Sequence, residues 1–145
     1  MTHEETFLTT TCPVARSVNL LGDRWSLMII RGAFDGLSRF TDFQKSTGIA
    51  KNVLAARLKT LTEAGIFTQV SASEGGAYKA YRLTERGQAL FPLVVCLRQW
   101  GEANLFNEGE AMSRLLDAEG QPLAQLVVKD NAGNIVQAEE TRRVI

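Results

Sequence analysis

Apolar side chains recur at helical spacing between residues 12 and 34 and predict two helices there. The first helix can begin at Pro13, because proline suits the first helical turn, and Asp23 can cap the N-terminus of the second. The expected apolar stripes are Val14, Val18 and Leu21 in the first helix and Trp25, Met28, Ile29 and Ala33 in the second. The Leu21-Gly22-Asp23 segment separates the two helices.

A second pair of helices follows, joined by a tight turn that contains glycine. The shorter helix is expected to be capped by Ser38 and to end at Gly48, which suits the left-handed conformation that glycine adopts at little cost. Its Phe40 and Phe43 should face inward. The longer helix, Lys51–Ala64, carries three leucines on one face at steps of four and three, namely Leu54, Leu58 and Leu61. Such a pair is typical of a helix-turn-helix.

The segment after the longer helix alternates in the manner of a β-hairpin. Ile66–Ser71 predicts one strand and Tyr78–Leu83 a second, with Tyr81 and Leu83 on one side. Ser73–Gly76 supplies the loop between them. A hairpin directly after a helix-turn-helix is a wing, here the region from Ser73 to Lys79.

The C-terminal half predicts one long helix and then a small hairpin. Apolar residues from Leu90 to Trp100 follow helical spacing after Thr84, and Pro92 should kink this helix or mark a restart. Gln121–Lys129 is strand-like, residues 130–134 are turn formers, and residues 135–137 can return as a second strand. We expect no internal repeat in the tail.

The predicted fold class is α+β, mainly α: a winged helix-turn-helix with a long C-terminal dimerisation helix and a small C-terminal β-hairpin. We expect a flexible N-terminus over residues 1–11, a DNA-binding and dimerisation domain over residues 12–107, and an extension over residues 108–145.

Charge is unevenly distributed although the net charge is zero. Residues 12–101 carry twelve basic against six acidic side chains, whereas residues 102–145 carry four against eight. This basic body between acidic ends is compatible with a nucleic-acid partner. Since no apolar stretch approaches the length of a membrane span and the N-terminus does not resemble a signal peptide, we expect a cytoplasmic protein without a membrane partner.

Candidate chemistry for an enzyme is sparse. The chain has one histidine, His3, and two cysteines, Cys12 and Cys96, whose spacing fits no zinc motif. There is no glycine-rich phosphate loop and no Ser/His/Asp set. We therefore expect no catalytic residues, no metal site and no cofactor.

Six short motifs, in order along about two thirds of the chain, resemble the HxlR-type regulators, a MarR-related branch of the winged-helix proteins. They are Cys12-Pro13, Gly22-Asp23-Arg24-Trp25, Arg39-Phe40-x-x-Phe43, Gly48-Ile49, Leu54-x-x-Arg57-Leu58-x-x-Leu61-x-x-x-Gly65-Ile66 and Tyr81-x-Leu83-Thr84-x-x-Gly87. The resemblance implies a transcriptional repressor or activator that forms a homodimer through its first and last long helices. Two features depart from the family pattern. Ala50 stands where a serine or proline usually begins the recognition helix, and Glu74 stands at the wing tip.

The recognition helix presents a candidate base-reading face opposite its leucines. Its members are Lys51, Asn52, Ala55, Ala56 and Lys59. Asparagine can pair with adenine and lysine can reach guanine in the major groove of duplex DNA. The alternative interpretation is an ordinary solvated helix face.

Six further side chains are candidates for contact with the DNA backbone, which positions a protein without reading sequence: Arg39, Thr41, Lys45, Arg57, Lys79 and Arg82. Arg57 has an alternative role, because it could instead form an ion pair with Glu63 or Asp42.

Cys12 precedes a helix start, where unpaired backbone N–H groups stabilise a thiolate, and Arg16 follows one turn later. Several members of the resembled family sense electrophiles or oxidants through a cysteine at this position. The alternatives are a redox sensor and a spectator thiol. Cys96 is expected to be a small buried apolar residue, with a role as a resolving thiol as the alternative.

Two functional alternatives remain open beside the redox-sensing DNA-binding regulator. The aromatic residues Trp25, Phe40, Phe43, Phe91 and Trp100 are expected in the core or the dimer contact, but a cavity between dimer helices could bind a small-molecule effector. The chain could also be a protein-interaction module that retains the winged-helix fold.

Overall fold

The computed structural model describes residues 10–71 and 79–145. Residues 1–9 of the expected flexible N-terminus and the expected wing loop Ser73–Gly76 lie outside the described residues, as does Tyr78. The chain divides into two compact units, one ending at Phe91 and the other beginning at Pro92. The domain limits given above stay predictions.

The described residues form helices, one two-stranded sheet and an irregular tail. The elements in chain order are α1 (Pro13–Leu21), α2 (Arg24–Phe34), α3 (Phe40–Thr47), α4 (Lys51–Glu63), β1 (Phe67–Ser71), β2 (Lys79–Leu83), α5 (Glu85–Gln88), α6 (Phe91–Asn104) and a 3-10 helix (Ala138–Glu140). This order confirms the predicted helix-turn-helix with a following hairpin. No helix among the described residues is both long enough and apolar enough to cross a membrane.

The core of the first unit forms around α4. Its three leucines, Leu54, Leu58 and Leu61, are fully buried, which confirms the stripe read from the sequence. Phe43 of α3 and Phe67 of β1 are also fully buried, and their rings meet edge to face with centroids 6.2 Å apart. Helix α4 therefore turns one face into the domain and the opposite face away from it.

The buried face of α2 differs from the predicted stripe. Ile29 and Ile30 are fully inaccessible and Ser26 and Gly32 are buried, whereas Met28 is exposed. The difference arises because Gly32 lies against the rings of Phe43 and the side chain of Leu37, so the helix turns this flank toward α3.

Helix α3 begins one residue later than predicted. Arg39, not Ser38, occupies the N-cap position, and no side chain caps the helix. Ser38 and Arg39 instead pair with β2: the amide of Tyr81 donates to the carbonyl of Ser38 at 2.7 Å, and Arg39 forms an antiparallel bridge with Ala80. The prediction of a Ser38 cap was wrong because the backbone of Ser38 and Arg39 pairs with β2 instead.

The hairpin strands are antiparallel, with Phe67 opposite Leu83 and Thr68 opposite Arg82. Ala80 is the buried residue of β2, while Tyr81 and Leu83 are half-buried on the other side. Helix α5 follows at once, capped by the hydroxyl of Thr84. Gly87 is required there, because a Cβ at this position would collide with the carbonyl oxygen of Ile66.

The predicted long C-terminal helix is two helices. Helix α5 ends at Gln88, and α6 starts again at Phe91 with Pro92 in its first turn. This confirms the alternative in which Pro92 marks a restart. The rings of Phe34 and Phe91 are in contact, with centroids 5.2 Å apart.

The tail after α6 contains two copies of one turn, 13 residues apart. Asp117 accepts two backbone N–H bonds through its Oδ1 atom, from Glu119 and Gln121, and Asp130 accepts the equivalent two from Ala132 and Asn134. Each turn then has a glycine with positive φ, 81° at Gly120 and 88° at Gly133. The expectation of no internal repeat was therefore wrong.

The predicted C-terminal hairpin is reduced to single bridges. Lys129 pairs with Ile135 across the predicted turn, and Leu116 pairs with Pro122 across the other copy. The strand expected over Gln121–Lys129 does not form, because the amide side chain of Gln99 takes the carbonyl of Ala124 and the amide of Leu126. The side chain of Gln99 thus forms the backbone hydrogen bonds that a neighbouring strand would otherwise form.

Candidate nucleic-acid interface

The outward face of α4 contains all five side chains predicted to read bases. Lys51, Asn52, Ala55, Ala56 and Lys59 are exposed. Their spacing along the helix places them opposite the three buried leucines. The face combines two cations, one amide and two small residues, so nothing bulky prevents it from approaching a groove.

The turn that precedes α4 is held by local hydrogen bonds. Gly48 adopts the left-handed conformation, with φ 71°, as predicted. The hydroxyl of Thr47 donates to the carbonyl of Phe43 at 2.7 Å and accepts from the amide of Ile49 at 3.3 Å. Ile49 itself is buried, so the start of α4 is fixed against the core.

Helix α4 begins without a side-chain cap. Ala50 is its N-cap residue and offers no acceptor for the first-turn amides, as expected from its departure from the family pattern. Free amides at a helix start can bind a phosphate oxygen. The first turn of α4 is therefore chemically suited to a DNA backbone as well as to bases.

The remaining backbone-contact candidates lie on α3, at its start and on β2. Arg39, Thr41, Lys45, Lys79 and Arg82 are all exposed. Arg39 lies opposite Ala80 in an isolated antiparallel bridge, so its side chain and that of Arg82 share one face of the hairpin. The two arginines have no ion-pair partner within residues 10–71 and 79–145.

Arg57 is engaged inside the protein. Its Nε atom lies 3.5 Å from the Oδ2 atom of Asp23, and the side chain is 41% exposed. Neither Glu63 nor Asp42, the partners considered from the sequence, forms an ion pair in the described residues. The sequence reading missed Asp23, because ion pairs between distant segments leave no periodic signal, although both residues lie within the quoted motifs.

Asp23 carries a second function as the N-cap of α2. Its carboxylate accepts the amides of Trp25 at 3.1 Å and Ser26 at 2.9 Å, together with the hydroxyl of Ser26. Burial raises the pKa of Asp23, but the Ser26 hydrogen bonds, the Arg57 charge and the Trp25 amide together outweigh burial and hold it below the ordinary value. One carboxylate therefore ties the start of α2 to the middle of α4.

Cys12 is the N-cap residue of α1. Its half-buried Sγ atom accepts the amide of Ala15 at 3.4 Å. Arg16, one turn on, donates from its Nε atom to the carbonyl of Thr10 at 2.7 Å. The helix start is thus the polar environment of this thiol.

Cys96 is exposed, so the prediction of a small buried residue was wrong. The buried position of α6 is the neighbouring Val95, at 4% exposure. Leu93, Leu97 and Trp100 remain exposed on the same helix. Helix α6 therefore carries more apolar side chains than the described residues of one chain bury.

The aromatic residues divide between core and surface. Phe43 is fully buried, Trp25 and Phe40 are half-buried, and Phe91 and Trp100 are exposed. On α1, Val14 and Val18 are likewise exposed, one helical turn apart. Both α1 and α6 thus present uncovered apolar faces.

Comparison with known proteins gives the same picture. The model of the HxlR-like helix-turn-helix family matches residues 20–109. A Mycobacterium tuberculosis protein, Rv3095, named an uncharacterized HTH-type transcriptional regulator, is 42% identical over 92 residues. That alignment covers 63% of this chain and 58% of the relative, so the chain spans little more than half of the relative's length.

Two solved structures extend the comparison. The candidate transcription factor PA1607 aligns over 96% of this chain and 98% of its own, with 47% identity and a TM-score of 0.90. The redox regulator HypR, in its reduced form, aligns over 65% of this chain and 94% of its own, with 28% identity and a TM-score of 0.60. The architecture is that of a winged helix-turn-helix, and the PA1607 match includes the unit from Pro92 onward.

Removing the Asp23 carboxylate tests the link between α2 and α4. We expect Asp23→Ala to lower the free energy of unfolding by about 1–2 kcal/mol, because α2 loses its cap and Arg57 its partner. Asp23→Asn is the matched control, since asparagine also caps helices well. Urea unfolding measures both effects.

The pH dependence adds a sharper comparison. Because the folded pKa of Asp23 is depressed, its stabilisation is present above the unfolded value of about 3.9 and is lost as the pH falls through the folded pKa. Wild type should therefore lose more stability than Asp23→Asn between about pH 7 and about pH 3. Equal losses in the two proteins would contradict this assignment.

Proposed function

Because the chain belongs to the HxlR-like helix-turn-helix family, we propose that it is a transcriptional regulator that binds a specific operator in duplex DNA as a homodimer. The observation that carries the proposal is the exposed face of α4, with Lys51, Asn52 and Lys59 opposite three fully buried leucines. This helix enters the major groove, where Asn52 and Lys51 contact base edges. Such a protein acts in the cytoplasm, where bacterial operators are found.

Backbone contacts come from the cations around α4. Lys45, Lys79, Arg39 and Arg82 are exposed and supply charge, whereas Thr41 adds a hydroxyl without charge. The ion pair with Asp23 makes Arg57 a positioning residue for α4 more than a phosphate contact. Four charges per subunit, eight per dimer, correspond to a salt slope of at most about −7 for log K against log salt.

The base-reading role is tested by truncating Asn52. We expect Asn52→Ala or Lys51→Ala to weaken operator binding by about 1–3 kcal/mol and to leave binding to a scrambled duplex unchanged, because only base contacts are lost. Lys45→Ala should weaken both duplexes alike and reduce the salt slope. Lys129→Ala, an exposed lysine of the tail, is the matched control.

Fluorescence anisotropy with DNA from upstream of the protein's own gene gives these affinities. Absence of binding at low salt, where electrostatic attraction is strongest, would contradict the DNA-binding proposal and favour a protein-interaction module. If Asn52→Ala lost the same affinity for both duplexes, base reading by Asn52 would be contradicted, but the DNA-binding proposal would not.

A second copy of the chain is the proposed cover for the apolar faces of α1 and α6. On α6 the tail occupies the side of Arg98 and Gln99, through hydrogen bonds to Ser113, Ala124 and Leu126. Leu93, Leu97 and Trp100 lie at steps of four and three on the other side. A stripe at this spacing suits helix-to-helix packing in a two-fold dimer.

Charge placed in this stripe should separate the subunits. We expect Leu97→Glu to be monomeric at micromolar concentration, because the carboxylate would be buried without a partner. Leu126→Glu is the control of equal exposure, 47% against 48%, and should remain dimeric. Sedimentation equilibrium decides the outcome, and a monomeric wild type would overturn the homodimer.

We further propose that oxidants or electrophiles regulate DNA binding through Cys12. Support comes from the helix-start position of the thiol and from the similarity to HypR, which is a redox regulator. Since Cys96 is exposed, it competes for reagent and is available as a second thiol. The proposed regulation therefore requires that Cys12 react faster than Cys96.

Cys12→Ser isolates this role, because a serine hydroxyl still caps α1. Limiting diamide or quinone should modify Cys12 before Cys96, as followed by mass spectrometry, and should change the operator affinity of wild type and Cys96→Ser. Cys12→Ser should bind DNA normally and not respond. A full response in Cys12→Ser would refute the sensor role.

A further inference from the structure

The tail is attached to α6 at two points. Nη1 of Arg98 donates to the carbonyl and hydroxyl oxygens of Ser113, both at 3.0 Å. The Gln99 amide donates to the carbonyl of Ala124 at 2.9 Å and accepts the amide of Leu126 at 2.8 Å. The tail segment between these attachments contains the first repeated turn. Together with α6 it lines a cavity of about 140 Å³.

Five apolar side chains form part of the cavity wall, beside the amide side chains of Gln99 and Gln125. Val95 of α6 is 4% exposed, and Leu115 and Leu123 of the tail are half-buried around it. Leu116 and Pro122, which form the bridge of the turn, complete the wall. These apolar side chains can contact a short hydrocarbon group.

Charged groups border the same cavity. Arg114 and Glu102 line it, and their side chains form no hydrogen bond or ion pair with any described residue. Arg98 also lines it and uses only its Nη1 atom to hold Ser113, which leaves further N–H donors of the guanidinium available. The cavity is therefore bordered by two guanidinium groups and one carboxylate.

The cavity has a net positive border, whereas the unit that contains it has a net negative charge. Residues 92–145 carry eight acidic and five basic side chains, yet two of the five basic ones meet at this cavity. An excess of guanidinium beside valine and leucine side chains suits an anion that has a small apolar portion.

We propose that this cavity binds a small organic carboxylate. Its hydrocarbon chain lies on Val95, Leu116 and Leu123, and its carboxylate accepts hydrogen bonds from Arg114 and from the remaining donors of Arg98. A volume of 140 Å³ equals about four to five water molecules at about 30 Å³ each, which limits the chain to a few carbon atoms. The site does not depend on the proposed DNA-binding function, because every lining residue belongs to the unit from Pro92 onward.

Butyrate, acetate and butyramide are suitable probes for calorimetric titration of the full-length protein without DNA. Butyrate should bind saturably and up to about sixteenfold more tightly than acetate, since it buries two more methylenes and each contributes about fourfold. Butyramide, which lacks the charge, should not bind detectably. Absence of saturable butyrate binding, or equal binding of butyramide, would overturn the proposal.

Variants test the location of the site. We expect Arg114→Gln to weaken butyrate binding at least about tenfold, because a charged hydrogen bond is lost, and Arg114→Lys to weaken it less. Arg142→Gln, another exposed arginine of the tail that does not line the cavity, should bind as wild type. Unchanged binding in Arg114→Gln, with an unchanged circular dichroism spectrum, would exclude this cavity.

Discussion

Burial of Leu54, Leu58 and Leu61 fixes the orientation of α4, and most of the proposed interface depends on it. Side chains in the interior of a protein are closely packed, so a rotation of α4 about its axis would expose a leucine and leave a void beside Phe43 and Phe67. The outward face is therefore determined by the inward one. The side chains opposite the leucines therefore keep their outward orientation without contacts of their own inside the protein.

Asp23 adds a polar constraint to the apolar one. Its carboxylate caps α2 and pairs with Arg57 of α4, so two motifs separated by more than thirty residues in sequence are joined at one point. An ion pair with a half-exposed arginine contributes little stability by itself, and the cap hydrogen bonds contribute more. The pair limits how α4 can tilt relative to α2, which matters for a helix that has to fit a groove.

Periodic patterns in the sequence predicted the elements but not the contacts between them. The leucine spacing of α4, the left-handed Gly48 and the restart at Pro92 follow from local chemistry and were correct. The pairing of Ser38 and Arg39 with β2 and the Asp23–Arg57 ion pair depend on residues distant in sequence, for which no local propensity exists. Cys96 was wrong for a related reason, because helical spacing indicates an apolar face without indicating what covers it.

The tail illustrates a different source of order. None of residues 105–145 is buried, so no apolar core of their own holds them. Asp117 and Asp130 build the two repeated turns through their own backbone neighbours, and glycines with positive φ complete them. Arg98 and Gln99 then fix the first turn to α6 through polar bonds. Because Arg98 and Gln99 also line the cavity, the proposed ligand would contact the same residues that attach the tail to α6.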